Sequence, residues 1–179
     1  MATITGLTIE DFEKLPDELA DNHELVDGEL IDASGNVGEH NGLRDLLVEI
    51  LRPLVKQHQI GKVISEQEYN FDGNAHGPDV SFFGTAKLPL FECKRRVQPF
   101  VPDLAIEIVS QNDTFISLRK KAKRYRRCGT REVWLLSIEM REAIRYSGEQ
   151  TVFLDENAAL SSEQIPGFSI RLGDLFDQI

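Results

Sequence analysis

Glu107 is a charge inside an apolar run, Leu104-Ala105-Ile106-Glu107-Ile108-Val109, that otherwise suits a central strand. A carboxylate buried there is expensive unless it is paired or bound to metal. Strand alternation puts Asp103, Ala105, Glu107 and Val109 on one face, and Leu104, Ile106 and Ile108 on the other. Simple exposure of Glu107 on a polar face is therefore an equally open reading. Asp79 lies in Gly77-Pro78-Asp79-Val80-Ser81-Phe82-Phe83, where Pro78 stiffens the entry to an apolar run. Its alternative is a structural aspartate at a loop-to-strand junction. The third group comes from the basic segment 118–127. At about 100° per residue, with Leu118 at zero, Ala122 falls near +40°, Tyr125 near −20° and Lys121 near −60°. Lys121 is thus the basic residue nearest the apolar stripe, while Lys120, Lys123, Arg124 and Arg127 point away from it. The alternative for Lys121 is snorkelling, stem on apolar surface and ammonium in water.

Two acids on neighbouring strands and one lysine meet the needs of metal-assisted phosphodiester cleavage. Carboxylates hold Mg²⁺ or Mn²⁺ and leave positions for water and phosphate. The metal activates water and neutralises developing charge. The lysine orients or deprotonates the attacking water.

The elements that must position these groups follow from the pattern. Residues 8–20 predict a helix with an acidic first turn, interrupted near Pro16. Asp27-Gly28, between two short alternating runs in residues 23–33, predicts a two-residue hairpin. Leucines and isoleucines at helical spacing predict a helix over 40–58, kinked before Pro53. Residues 61–72, 78–83 and 101–110 read as strands, with a turn-rich stretch at 72–78. Asn112, Asp113 or Thr114 caps a basic helix ending before Gly129. Residues 132–137, 142–146 and 151–154 read as further strands, and 165–179 as a Pro166-Gly167 turn and a short helix. The order predicts one domain over 1–179, of α/β (α+β) class: a mixed β-sheet flanked by helices.

Composition sets the outer bounds. With 41% apolar and 28% charged residues, the chain suits a globular core and not a disordered segment. Cys93 and Cys128 share no metal-ligand spacing and suit a reducing compartment. The first residues carry no signal-peptide pattern and no stretch is long and apolar enough for a bilayer, so a cytoplasmic location is expected. The net charge of −10 argues against nucleic acid, but residues 119–131 hold eight of the 20 basic residues and no acid. That asymmetry points either to a solvated helix face or to a patch that meets phosphates.

With these residues in hand, the sequence resembles the PD-(D/E)XK nuclease superfamily, and more closely the bacterial Uma-type restriction endonuclease family, a domain of unknown function. The resemblance runs through HELVDGEL at 23–30, His40, GPDVSFF at 77–83, PDLAIEIVS at 102–110, KAKRYRRCG at 121–129, REVWLL at 131–136 and PGFSIRLGDLF at 166–176. It implies a restriction-endonuclease-like fold, with Asp79 and Glu107 as metal-binding acids. The superfamily lysine belongs two residues after the second acid, where this chain has Val109. In the close family a lysine four residues before a helical tyrosine takes that role, here Lys121 before Tyr125. Glu24 matches an acidic position near the same site. His40 matches as a capping or supporting residue, beside Tyr125. A rival literal match, Asp79 with Glu92-Cys93-Lys94, is rejected: Pro89 and Arg95-Arg96 bound that segment, and it has too few β-branched residues for a central strand.

The expectation is a Mg²⁺- or Mn²⁺-dependent endonuclease acting on DNA, with Lys120, Lys123, Arg124 and Arg127 on backbone phosphates. A homodimer would suit cutting two strands symmetrically. The alternatives are a catalytically silent relative that binds nucleic acid or protein through 119–131, and a structural subunit that pairs this segment with an acidic partner.

Overall fold

A computed structural model of the protein describes residues 6–33, 37–110 and 113–179. Its centre is a six-stranded mixed sheet. In chain order the strands are β3 (Gly61–Ser65), β6 (Val80–Gly84), β8 (Leu104–Ile108), β9 (Glu132–Ser137), β10 (Glu142–Ser147) and β11 (Gln150–Leu154). Their spatial order is β11-β10-β9-β8-β6-β3. Only β8 and β9 run parallel in this sheet. Parallel neighbours need a crossover, and α4 (Phe115–Arg127) supplies it.

A second, five-stranded sheet comprises β1 (His23–Val26), β2 (Glu29–Asp32), β4 (Glu68–Asn70), β5 (Ala75–His76) and β7 (Val97–Gln98), in the order β2-β1-β5-β4-β7. Here the structure departs from the reading of residues 61–72 as one strand. Glu66, at φ 53°, turns the chain out of the first sheet, and β4 continues in the second. The stretch 72–78, expected as turn alone, contains β5. The Asp27-Gly28 hairpin is present, with φ of 51° and 84° at its two central residues, the positive pair that a type I′ turn requires.

The two faces of the central sheet are covered by different helices. α3 (Gly38–His58) runs unbroken through Pro53 and buries Leu43, Leu47, Leu51 and Val55 against Val80, Leu104, Ile106 and Trp134. The C-terminal residues extend this core through a two-stranded ribbon, β12 (Ala159–Ser161) with β13 (Ser169–Arg171), and α5 (Leu172–Phe176). On the opposite face α4 sets Leu118, Ala122 and Tyr125 against Ala105, Val133 and Leu135. The same cluster takes in Tyr69 and Phe71 near the second sheet, with Phe71 stacked on Tyr125 at 4.1 Å. The Glu107 side of the sheet, for which the sequence leaves solvent exposure as one of two open readings, is therefore a second core.

α4 starts where the sequence allows it to. Thr114 is the N-cap: its hydroxyl accepts from the Ser117 amide, and the Ser117 hydroxyl accepts from the Thr114 amide, satisfying two of the helix's open donors. Of the two other caps considered, Asp113 precedes the N-cap and Asn112 lies outside the described residues. Gly129, at φ 108°, follows the helix end. At the N-terminal side, α1 (Ile9–Glu13) and α2 (Asp17–Ala20) are split at Pro16 and bury Phe12 and Ala20 beside Leu25, Ala75 and Val97.

Candidate active site

Glu107 is fixed first by the sheet. It occupies the fourth position of β8, on the α4 face, and is only 6% exposed. The open reading of Glu107 as a solvent-facing residue does not hold, because α4 lies over it. Tyr125 donates its hydroxyl to Glu107 Oε1 at 2.6 Å, and Lys121 Nζ donates to Oε2 at 3.0 Å. Both groups come from α4, one turn apart, as the four-residue spacing requires.

Asp79 stands at the head of β6, which pairs with β8. The Ile108 amide donates to Asp79 Oδ2 at 2.6 Å, locking this carboxylate beside the strand that carries Glu107. On its other side His40 Nε2 lies 3.3 Å from Asp79 Oδ1. His40 does not cap α3, whose N-cap is Val37; it is buried beneath Asp79.

Glu24 reaches the site from β1. Its Oε1 accepts from Lys121 Nζ at 2.9 Å and from the Gly77 amide at 3.2 Å, and its Oε2 lies 2.9 Å from His76 Nδ1. The Lys121 ammonium is thus held between Glu24 and Glu107. Three sequence-distant acids and one lysine meet at a broad cleft, whose lining also includes His40, His76, Arg124 and Lys120.

The charges respond to this crowding. Burial pushes Glu107 up to about 8; the Lys121 ammonium opposes the shift, while the Asp79 and Glu24 carboxylates add to it. Burial also disfavours the charged form of Glu24, but Lys121 and His76 outweigh it and hold its carboxyl well below the usual range. For Lys121 burial would weaken the ammonium, yet Glu107 and Glu24 more than offset it and raise its pKa. Lys121 is a donor here, not a free amine. Burial lowers the pKa of His76 despite the Glu24 carboxylate. For His40 burial opposes the charged form, but the bond to Asp79, the Asp79 charge and a backbone bond at Ile108 together outweigh it, and its pKa is raised.

The donors that face the cleft suit a hard divalent ion. Asp79 and Glu107 are carboxylates on adjacent strands, and ions such as Mg²⁺ take one or two carboxylates while keeping several waters. Among the described residues no three His, Cys, Asp or Glu side chains are grouped to hold a metal, so the arrangement is not a closed zinc-type cage. Burial is the main cause of the rise at Glu107, and repulsion from Asp79 and Glu24 adds to it, as expected for a buried acid with like charges nearby.

Arg124 departs from the expectation that it points away with the other basic residues of α4. Its Nη1 lies 3.2 Å from His76 Nε2, and its Nη2 donates to both oxygens of Asp27 at 2.9 and 3.1 Å. Lys120, Lys123 and Arg127 are exposed, with Arg127 3.5 Å from Asp72. His76 was not among the residues singled out in the sequence; its turn-rich surroundings carry no signal of burial. The rival Glu92-Cys93-Lys94 segment lies outside every strand, although it borders the same cleft.

A mixed sheet that carries an acid at the head of one strand and another within its neighbour, with a lysine supplied by the following helix, defines the restriction-endonuclease-like class of nuclease folds. The Uma2 family, described as "Putative restriction endonuclease", matches residues 9–173, and the chain belongs to it. The crystal structure of a protein from Anabaena variabilis ATCC 29413, described as a "putative nuclease belonging to DUF820", has the same fold. Its TM-score is 0.85 at 24% identity, covering 97% of this chain and 99% of that one. No protein with curated annotation matches this sequence. Among the described residues no helix is long and apolar enough to cross a membrane.

Proposed function

We propose that the protein is a divalent-metal-dependent endonuclease that hydrolyses phosphodiester bonds in DNA. The observation that carries this reading is the Lys121 ammonium held between Glu107 and Glu24, beside an Asp79 whose carboxylate is oriented by the Ile108 amide. Asp79 and Glu107 would hold Mg²⁺ or Mn²⁺. When bound, the ion supplies Lewis-acid activation of water and neutralises charge on the phosphate. Lys121 is a fixed cation, which supports orienting the attacking water and offsetting negative charge over taking a proton. Tyr125 restrains one oxygen of Glu107 and so sets which oxygen faces the cleft. The exposed Lys120, Lys123 and Arg127 supply phosphate contacts that position DNA without reading its sequence.

Incubation of the purified protein with supercoiled plasmid in Mg²⁺ or Mn²⁺ tests the proposal. Cleavage should vanish with chelator and with Asp79→Ala. Lys121→Met should slow it by at least roughly 100-fold, within the range lost with one preorganised electrostatic donor. A Lys121→Met variant as fast as wild type sinks the lysine assignment.

One observation favours a second reading. Glu13, Asp17, Asp21, Glu66 and Glu92 also line the cleft, and their repulsion lowers affinity for a polyanion. A catalytically silent relative that binds nucleic acid or protein through α4 would bind equally well as Asp79→Ala and cut nothing in either metal.

A further inference from the structure

Arg124 and His76 both reach the site, and each is held there by other side chains. Asp27, at the hairpin turn, takes Arg124 Nη2 on both of its oxygens, which fixes the guanidinium. Arginine has donors only, so Arg124 Nη1 at 3.2 Å makes His76 Nε2 an acceptor. The ring is then neutral and its hydrogen is on Nδ1, from which it donates to Glu24 Oε2 at 2.9 Å. That bond leaves Glu24 Oε1 to accept from the Gly77 amide and from Lys121 Nζ. Every bond in the chain has one allowed direction. His76 is 3% exposed and is further confined by the rings of Phe71 and Tyr125, with centroids 5.8 and 5.6 Å away. Burial, which disfavours its charged form, agrees with the neutral ring.

We propose that Asp27, Arg124, His76 and Glu24 form a relay of positioning residues that holds the Lys121 ammonium against Glu107, and that Arg124 serves this relay and not the grip on DNA. The kinetic part rests on the endonuclease reading; the placement of Lys121 does not. A phosphate-contacting arginine and a relay arginine predict opposite results. Removal of the first weakens DNA binding and lowers the salt slope by about 1 while turnover survives. Removal of the second leaves binding and salt slope alone and lowers kcat.

The test uses the full chain with His76→Ala, His76→Asn and Arg124→Ala. Three quantities are measured: kcat and KM on plasmid, affinity for a labelled duplex across a salt series without metal, and the rate of reductive methylation at Lys121 read by mass spectrometry. His76→Ala and Arg124→Ala should lower kcat by about 10–100-fold, the usual effect of losing an outer hydrogen-bond partner, with KM unchanged. Lys121 should methylate faster in both. His76→Asn retains an amide donor toward Glu24 and should recover most of the rate and the protection of Lys121. Equal methylation of Lys121 in wild type, His76→Ala and Arg124→Ala overturns the relay, whether or not the protein cuts DNA. A loss of affinity in Arg124→Ala with intact kcat returns Arg124 to the DNA-binding face. Should His76→Ala fail to fold, Arg124→Ala carries the same test from a part-exposed position. A wild-type protein inert on plasmid would defeat the nuclease reading alone, since the methylation rates still report on the relay.

Discussion

Glu68 is a buried carboxylate with incomplete pairing. Arg96 Nη1 is 3.9 Å from one oxygen, and the other has no hydrogen-bond partner among the described residues. Burial pushes its pKa up to about 7 against the pull of Arg96, with Glu24, Asp21 and Glu13 adding to the rise. The folded-state value is raised above the unfolded 4.5, so between pH 4.5 and about 7 the native state binds more protons than the unfolded chain. Stability therefore falls as pH rises through that window. A shift of this size corresponds to on the order of 3 kcal/mol. Glu68→Gln removes the penalty and should raise Tm at pH 8 by more than it does at pH 5. Equal Tm changes at the two pH values would show that Glu68 is charged at little cost. At this scale the sequence was informative where a residue violated its surroundings. Glu107 stood out inside an apolar strand, and Lys121 stood out on the helical wheel. Glu68 and His76 did not, because neighbours from remote segments make them unusual and no local pattern records those neighbours.

Among the elements, β3 and β6 meet at Gly61, opposite Gly84. Gly61 has φ 154°, and a Cβ there would lie 2.1 Å from the Phe83 carbonyl oxygen and 2.9 Å from the Phe82 ring. The strands could not keep this register with any side chain at 61. Gly61→Ala should destabilise the protein by on the order of 4 kcal/mol, at the severe end for point mutants, read as a large drop in Tm. A drop of only a degree or two would mean that the strand shifts freely. The individual helices, the Asp27-Gly28 hairpin and the strands from β8 to β11 were legible from periodicity and turn chemistry. The break at Glu66 was not. Both halves of 61–72 suit a strand, and it is the transfer of β4 to a second sheet, stabilised by the aromatic cluster of Tyr69, Phe71 and Tyr125, that ends the first. The wheel misplaced Arg124 for a related reason. It locates a helical residue relative to the core stripe, but nothing in α4 announces that the β1–β2 hairpin lies along its flank.

For the whole molecule, the distribution of charge outweighs its total of −10. The acids crowd the cleft rim, while Lys120, Lys123 and Arg127 are exposed on α4. Such an arrangement orients a polyanion before contact. Replacing Lys120, Lys123 and Arg127 together by Ala should reduce the slope of log K against log salt by up to about 0.9 for each lost phosphate contact, with kcat at saturating DNA nearly unchanged. Anisotropy titrations of a labelled duplex measure it. An unchanged slope would remove this face from DNA binding. The inward set, Lys121, Arg124 and Tyr125, alternates along the same thirteen-residue helix with the outward set. α4 therefore behaves like a reading frame for side chains. One residue inserted in its first turn rotates everything downstream by about 100°, taking Lys121 from between its two acids and turning another residue inward. Substitution at the outward positions of α4 should therefore be tolerated far better than any change in the length of the segment from Thr114 to Tyr125.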